Sequence, residues 1–350
     1  MKIGIVVNDT ASELADYTTT HLAFEAHKRG HQISYISLAD FSYGVDEQVH
    51  GIAAGVERQK FSSAEEFLKA IQSPDVVRKT ISVDKLDVLL LRNDPSREFF
   101  HRPWARLAAI NFGRLAIRHG VLVLNDPDGL THAINKIYLQ IFPSEIRPDA
   151  IITRNSTEIH DFIETHDGRA VIKPLQGSGG RNVFLVRKDQ PENIKQMIAS
   201  VIRDGYAIAQ EYLPAITHGD TRLFMLNGRI FDHNGTVGAL RRVRSEGDIR
   251  TNLTAGGKGV LAEITDNMYT IARKVGPQLI KDGIFLAGLD IVGDKVIEIN
   301  VFSPGALVGA ARLTGVNFMQ PIIDSLESKI AYRKSYSGAN PPSNAELAMW

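Results

Sequence analysis

The chain has 350 residues, 43% hydrophobic and 23% charged, with a formal net charge of +0. That allows two or three domains and a sizeable core, and it supplies no global field that would select nucleic acid or an anionic membrane. There is no cysteine, which excludes a disulfide framework, a thiolate zinc site and a cysteine nucleophile. The opening "MKIGIVVND" holds an apolar run shorter than a signal-peptide core, and no stretch approaches membrane-spanning length, so a cytoplasmic protein is expected.

"KIGIVV" (2–7) reads as a buried parallel strand, "TTTHLAFEAHKRG" (18–30) as a helix with a Lys-Arg-Gly stop, and "HQISYISL" (31–38) as the next strand. Two further strands follow at 86–92 and 120–125, with an amphipathic helix between them at 104–119. The expectation for residues 1–124 is therefore an open α/β domain built on a parallel sheet. Beyond Asn125-Asp126-Pro127 the pattern changes to an α+β region, roughly 125–332, rich in strands and in hairpin signals at Asn227-Gly228 and Gly293-Asp294. A closing helix is expected at 318–334, and the Pro-, Ser- and Asn-rich segment 333–350 is expected to be loosely ordered.

Chemistry concentrates in the second region. "KPLQGSGG" (173–180) sits between strands and fits neither a dinucleotide fingerprint nor a Walker loop. It reads as a hairpin tip whose bare N–H groups can cover an anion beside the fixed charge of Lys173, against the plainer reading of a mobile turn. In "LDIVGDKVIEINVFSP" (289–304), Glu298 and Asn300 project from one face of a strand, with Ile297, Ile299 and Val301 on the other. A carboxylate and an amide side by side are hard ligands suited to Mg²⁺. Whether Asp290 joins them depends on the hairpin. A two-residue loop at Gly293-Asp294 would put Asp290 on the opposite face, whereas a three-residue loop with a bulge would pair it with Glu298. Asp220 and Arg222 begin another hairpin, and 241–259 is a polar loop with four arginines, Asn252 and several glycines, the composition of an active-site lid. With no interleaved aromatics, nucleic acid is a poor fit to those arginines, and stabilisation of phosphate or a developing oxyanion is a better one.

Taken in order, Lys136 in "NKIYL", "KPLQGSGG", "AQEYLPAITHGDTR", "NLTAGGKG" and "GLDIVGDKVIEINVFSP" resemble the ATP-grasp ligases, and most closely the bacterial glutathione synthetase family, from residue 2 to about 330. The resemblance implies a pre-ATP-grasp α/β domain followed by a two-part ATP-grasp fold, with a lid half at about 125–208 and a metal and catalytic half at 209–332. It implies a ligase that activates a carboxylate as an acyl phosphate and joins it to an amine. Lys136 and Lys173 would hold phosphates, with Gly177, Ser178, Gly179 and Gly180 as a small flap. Gln210, Glu211, Tyr212 and Leu213 would border the adenine, with Asp220 also among the ATP-contacting residues. Asn252, Gly256 and Gly257 would close a larger lid. Asp290, Glu298 and Asn300 would bind two Mg²⁺ ions, or Mn²⁺ in their place, which supports the three-residue hairpin loop. Arg222 and Arg242 would flank the reacting carboxylate, and Arg92, Asp94, Ser303, Pro304 and Gly305 would face the substrates. The implied partners are a small-molecule acid and amine, with no nucleic acid or membrane, in a homodimer or homotetramer.

The departures from the family pattern lie on the substrate side. Gly305 stands where Thr is usual, Ala306-Leu307-Val308 replaces a polar stretch, and Tyr17-Thr18-Thr19 replaces Asp-Ser-Ser. Three functions remain open: a ligase for γ-glutamylcysteine and glycine, a ligase for another γ-glutamyl or peptide acid and amine, and a nucleotide-binding regulatory protein without turnover.

Overall fold

The computed structural model describes residues 1–56, 59–177, 179–243, 257–336 and 341–350. β1 (Lys2–Val7) is buried from Ile3 onward and lies in parallel between β2 (Gln32–Tyr43) and β5 (Val88–Leu91), with α1 (Thr18–Lys28) as the first crossover. An apolar β-branched run covered on both faces is what a central parallel strand requires. β6 (Leu122–Leu124) extends the sheet in parallel after α3 (Ala108–Arg118). The sequence reading does not anticipate β3 (Val49–Ala54) and β4 (Arg78–Ser82), which add antiparallel at the far edge and give the order β4-β3-β2-β1-β5-β6. "RKTIS" lies at the sheet edge, largely exposed, and so carries no apolar run, while "VHGIAA" is mostly buried but its pattern is broken by His50 and Gly51. Between them α2 (Ala64–Gln72) starts where the Ser63 side chain accepts from Glu66 N–H.

After α4 (Pro127–His132), a second sheet is wholly antiparallel. It runs β7 (Ala150–Thr153), β10 (Ala207–Glu211), β8 (Arg169–Pro174), β9 (Phe184–Arg187). α5 (Ser156–Thr165) and α6 (Pro191–Arg203) cover one face through a separate core that includes Ile159, Phe162, Ile172 and Ile198. The third sheet carries β11 (Asp220–Leu226) at its centre, with β15 (Ala239–Val243) and β16 (Lys258–Val260) on one side and β17 (Leu286–Val292) and β18 (Lys295–Asn300) on the other. The short pieces β12 (Arg229–Ile230), β13 (Asp232–His233) and β14 (Thr236–Val237) lead from β11 to β15. α7 (Asp266–Lys281), α8 (Leu307–Thr314) and α9 (Met319–Ser335) complete this region. Among the described residues no helix is long and apolar enough to cross a membrane.

The first and third sheets are tied by Asn125. Its amide donates to the Leu286 and Val301 carbonyls, and its oxygen accepts from Leu286 N–H at 2.9 Å. Among the described residues, the expectation of a loosely ordered end is not met. The closing helix runs to Ser335, and α10 (Asn344–Met349) docks with Leu347 and Ala348 buried. Asn344 acts as a rung of sheet beside β6, accepting from Val123 N–H at 2.7 Å and donating to Val123 O at 2.8 Å and to Asp126 at 2.7 Å. Buried Lys329 donates to the carbonyls of Ala348 and Trp350, and Trp350 stacks on Tyr332. Polar composition conceals such docking, since the contacts come from a few residues in a mostly polar stretch.

Asn344→Ala removes three buried hydrogen bonds at once. It should cost about 2–3 kcal/mol in urea unfolding; an unchanged midpoint would mean that α10 contributes nothing to the edge of the first sheet.

Candidate active site

The register of the third sheet aligns the charged residues. Asp220 on β11 lies opposite Arg242 on β15, Arg222 lies opposite Asp290 on β17, and Asp290 lies opposite Glu298 on β18. Directly opposed positions on one face of a sheet bring side chains into contact. The hairpin that achieves this differs from both loops considered in the sequence. Its loop has two residues, with Val292 opposite Lys295, yet a bulge at Ile297 shifts the register and sets Asp290 against Glu298. One extra residue restores the shared face that a plain two-residue hairpin would have denied. The same bulge brings Ile297, expected on the far face, to the cleft wall beside Glu298.

Asp290 is 1% exposed. Arg222 grips it with two bonds of 2.7 Å, Arg242 Nη2 lies 2.8 Å from Oδ2, and Asn300 donates to the same oxygen at 3.3 Å. Burial would raise the carboxyl, but the two guanidinium groups hold it below the ordinary carboxylate range. Arg242, itself desolvated by burial, is raised by Asp290 and Asp220. Asp220 was expected among the ATP-contacting residues. It is instead buried behind the ring, and its carboxylate holds Arg242.

Across the cleft, Lys173 is buried and donates to Ile297 O at 3.4 Å. Desolvation lowers it to about 8, Glu298 opposes that shift and Lys136 adds to it. Lys136 donates to Gly177 O, and its Nζ is 3.8 Å from Glu298 Oε1. Gly177, Gly179 and Gly180 have φ of 115°, 70° and 73°, a region that penalises any side chain. Ser178, Asn252 and Gly256 lie outside the described residues; Gly257 immediately precedes β16.

Two cavities share Lys136, Lys173, Gly177, Gln210, Ile297 and Glu298 as their common wall. The first, about 1010 Å³, is lined also by Gly179, Gly180, Glu211, Tyr212, Leu213, Arg242 and Asp290. Its apolar walls are Val171, Leu185, Val292 and Ile216, none of which the sequence reading singled out. Val171 was within reach of that reading, being two residues before Lys173 on one strand face; Leu185 is its cross-strand partner. The second cavity, about 910 Å³, is lined by Asp94, Ser96, Asn135, Asn300 and Ser303 among others. Arg92 reaches the 303–306 loop from the first sheet, donating to Pro304 O at 3.4 Å, while Arg222 donates to Gly305 O at 3.5 Å. Asp94 accepts from Ser96 at the turn after β5. A Cβ placed on Gly305 would meet nothing within 4 Å.

The donor set Asp290, Glu298 and Asn300 offers the hard oxygens that a divalent cation takes, so the residues fit such an ion. Both Asp290 oxygens are engaged, Oδ2 by Arg222, Arg242 and Asn300 and Oδ1 by Arg222, so a cation at Asp290 would share the carboxylate with arginine or displace it.

Comparison with known proteins agrees with this geometry. Residues 1–131 match the family model "Prokaryotic glutathione synthetase, N-terminal domain", and residues 135–315 match "Prokaryotic glutathione synthetase, ATP-grasp domain". The chain is 32% identical to a glutathione synthetase of Shewanella oneidensis over 336 residues, covering 94% of this chain and 99% of the relative. It is 29% identical to the glutathione synthetase of Escherichia coli K12 at the same coverage. Among solved structures, D-cycloserine synthetase DcsG shares the fold with a TM-score of 0.63 at 14% identity, over 93% of this chain and 100% of that one. D-alanyl-alanine synthetase A of Vibrio cholerae does so with a TM-score of 0.56 at 10% identity, over 95% and 98%.

Lys173 gives a pH test. Its folded value of about 8 lies below the ordinary lysine value of 10.5, so burial costs stability below pH 8 and the cost is relieved as pH rises from 8 towards 10.5. Lys173→Met should raise stability at pH 7 by about 2 kcal/mol, and less at pH 10, in paired denaturant titrations. An equal effect at both pH values would remove the burial penalty from the account.

Proposed function

Because the chain belongs to the prokaryotic glutathione synthetase family and is an ATP-dependent carboxylate–amine ligase, we propose that it joins γ-glutamylcysteine to glycine through an acyl phosphate. The observation that carries this reading is the row Arg242, Arg222, Asp290 and Glu298 across the third sheet, facing Lys136 and Lys173 over one cleft. The family uses ATP and a divalent metal; in our reading the metal is two Mg²⁺ ions, with Mn²⁺ able to replace them.

Lys136 and Lys173 hold the phosphates, and the glycines of the 177–180 tip, with Ser178 among them, let backbone N–H groups lie against the nucleotide. Gln210 to Leu213 border the base, between the walls Val171 and Leu185 on one side and Val292 and Ile297 on the other. Asp290, Glu298 and Asn300 hold the metal, which spreads the charge of the phosphates when bound. Arg222 and Arg242 steady the reacting carboxylate and the oxyanions that follow, a role whose loss typically costs about 10²–10³ in rate. Asn252, Gly256 and Gly257 belong to a covering lid that keeps water from the acyl phosphate. Arg92, Asp94, Ser303, Pro304 and Gly305 face the acid and amine.

In this reading residues 1–124 form the substrate-side domain and 125–332 the ATP-grasp region, in a cytoplasmic homodimer or homotetramer. A second reading, a ligase for a different acid or amine, is favoured by the open space at Gly305. Open space beside that residue leaves room for a bulkier substrate.

The deciding experiment is Mg²⁺-dependent ADP release from ATP with γ-glutamylcysteine, run with and without glycine. Release that needs both supports the first reading. Nucleotide binding without release moves the function to another acid and amine. Glu298→Gln should lower the Mg²⁺-dependent rate by about 10²-fold or more, and near-normal turnover would take Glu298 out of the metal site.

A further inference from the structure

One buried acid beside the third sheet has no role in the account so far. Asp282, 6% exposed, closes α7, the end at which the helix dipole disfavours a carboxylate. Among the described residues no Lys or Arg bonds it. Tyr138 donates to Oδ2 at 2.7 Å, Gln278 donates to the same oxygen at 2.9 Å, and His132 Nδ1 lies 3.2 Å from Oδ1. A carboxylate buried in this way at that end of a helix is costly, which points to a use beyond stability. The backbone around it is packed tightly. A Cβ on Gly129 would collide with the Asp282 carbonyl, and Asp126 N–H donates to Gly283 O at 3.1 Å. Ile271, Val275 and Leu279 of α7 share a core with Leu223, Met225 and Leu289 of the third sheet. Asp282 is therefore a fixed point on the body that carries Asp290 and Glu298.

Tyr138 connects that point to Lys136. Both residues belong to one 3₁₀ turn, Lys136–Ile141, whose hydrogen-bond geometry is poorer than that of an α-helix, so its placement depends on outside anchors. Asn135 closes the start of the turn by accepting from Ile137 N–H at 2.9 Å. Lys136 is itself attached on the side of the second sheet: its N–H donates to Leu175 O at 3.2 Å, and its ammonium donates to Gly177 O. Tyr138, 3% exposed, supplies the opposite anchor. Its ring packs edge-on against Phe142 and lines the second cavity, while its hydroxyl reaches Asp282. Burial and the carboxylate raise this hydroxyl above the ordinary tyrosine value, so it keeps the proton that it donates. We propose that Tyr138 and Asp282 are positioning residues for Lys136, anchoring its turn to the body of the third sheet so that the ammonium stays beside Glu298 and meets the nucleotide phosphates there. Without that anchor, the hydrogen bonds of Lys136 lead to residues 175 and 177, and the lysine follows the second sheet rather than the ring around Asp290.

This inference rests on the reading that Lys136 holds phosphate, and its test separates the two. Affinities for a non-hydrolysable ATP analogue with Mg²⁺, and for adenosine, would be measured calorimetrically on the full chain. Tyr138→Phe keeps the ring and removes the hydroxyl. It should weaken binding of the ATP analogue roughly 3- to 10-fold and leave adenosine unchanged. Asp282→Ala should reproduce that loss, and Asp282→Asn, which keeps an oxygen for the hydroxyl, should retain most of the affinity. In a Lys136→Ala background Tyr138→Phe should have no further effect, because a residue that acts through another is not additive with it. Equal weakening of both ligands, the same fold-loss with and without Lys136, or full affinity in Tyr138→Phe would overturn the inference. Tyr138→Phe carries the decision where Asp282→Ala does not fold. Lys136→Ala alone judges the phosphate role: a loss there with an additive Tyr138→Phe keeps that role and removes the positioning, and unchanged affinity there removes both. ADP release with γ-glutamylcysteine and glycine, measured in parallel, judges the ligation. The expected binding pattern without release keeps the positioning and removes the proposed reaction.

Discussion

The active-site half of the molecule depends on a single buried carboxylate. Asp290 is held by Arg222 and Arg242 together, and Arg242 is held in turn by Asp220. Charges taken out of water are tolerated only when each has its partner, and removing one leaves the next uncompensated. Strand register is thereby specified by electrostatics as well as by the apolar pattern. A slip of one residue in β11 or β17 would place an arginine or an aspartate against Leu289 or Leu223 in the core. The bulge at Ile297 belongs to the same constraint, because only the extra residue lets β18 present Glu298 to the ring while Val296 and Val301 stay buried.

That rigidity is passed outward through the loop after β18. Ala306 adopts φ 76° at the start of α8, a conformation that costs a residue with a Cβ about 1 kcal/mol or more. What holds it there is visible in its neighbours: the Pro304 carbonyl is taken by Arg92 from the first sheet and the Gly305 carbonyl by Arg222 from the third. Asn125 joins the same two sheets a short distance away, bonding Leu286 at the start of β17 and Val301 at the end of β18. The 303–306 loop is thus positioned by both sheets, while Lys173 and the glycines that follow it belong to the β8–β9 hairpin of the second sheet.

Much of this was legible in the sequence because it is written in residue types with one chemical use. Glycines at 177, 179 and 180, a lysine at a strand end and an acid two residues from an amide are marked out by residue type alone, and the structure brings them to one cleft. The central strands of the first sheet were equally plain as apolar runs. Three kinds of feature were not legible. Edge strands such as "RKTIS" lack the burial that makes a pattern. A bulge is one residue of extra length with no composition of its own, so the side of the sheet on which Asp290 falls was undecidable from spacing. Long-range partners of buried polar residues, such as Asn344 at β6 or Thr19 at Arg92, depend on tertiary placement that local sequence does not encode. Asp220 illustrates the last case: it has the right type and position for a ligand contact, and the fold spends it on orienting Arg242.

The charge balance of the cleft bears on how the metal and nucleotide enter. Among the described residues, the ring and its facing wall contribute Arg222, Arg242, Lys136 and Lys173 as cations against Asp220, Asp290 and Glu298 as anions. With Arg181, Glu211 and Asp94 also lining the cleft the charges balance, and a bare divalent cation would meet a carboxylate already bonded by two arginines. In the proposed reading, phosphates entering the cleft shift that balance towards negative charge. They give Lys136 and Lys173 a partner better than a backbone carbonyl, and they give the guanidinium groups an alternative to Asp290. An aspartate released from its arginines is a stronger ligand, so the electrostatics favour entry of the cation with the phosphates rather than ahead of them. The low value of the Asp290 carboxyl serves both states of the proposed site: the group stays ionised when it faces arginine, and it would already be ionised when it met a metal.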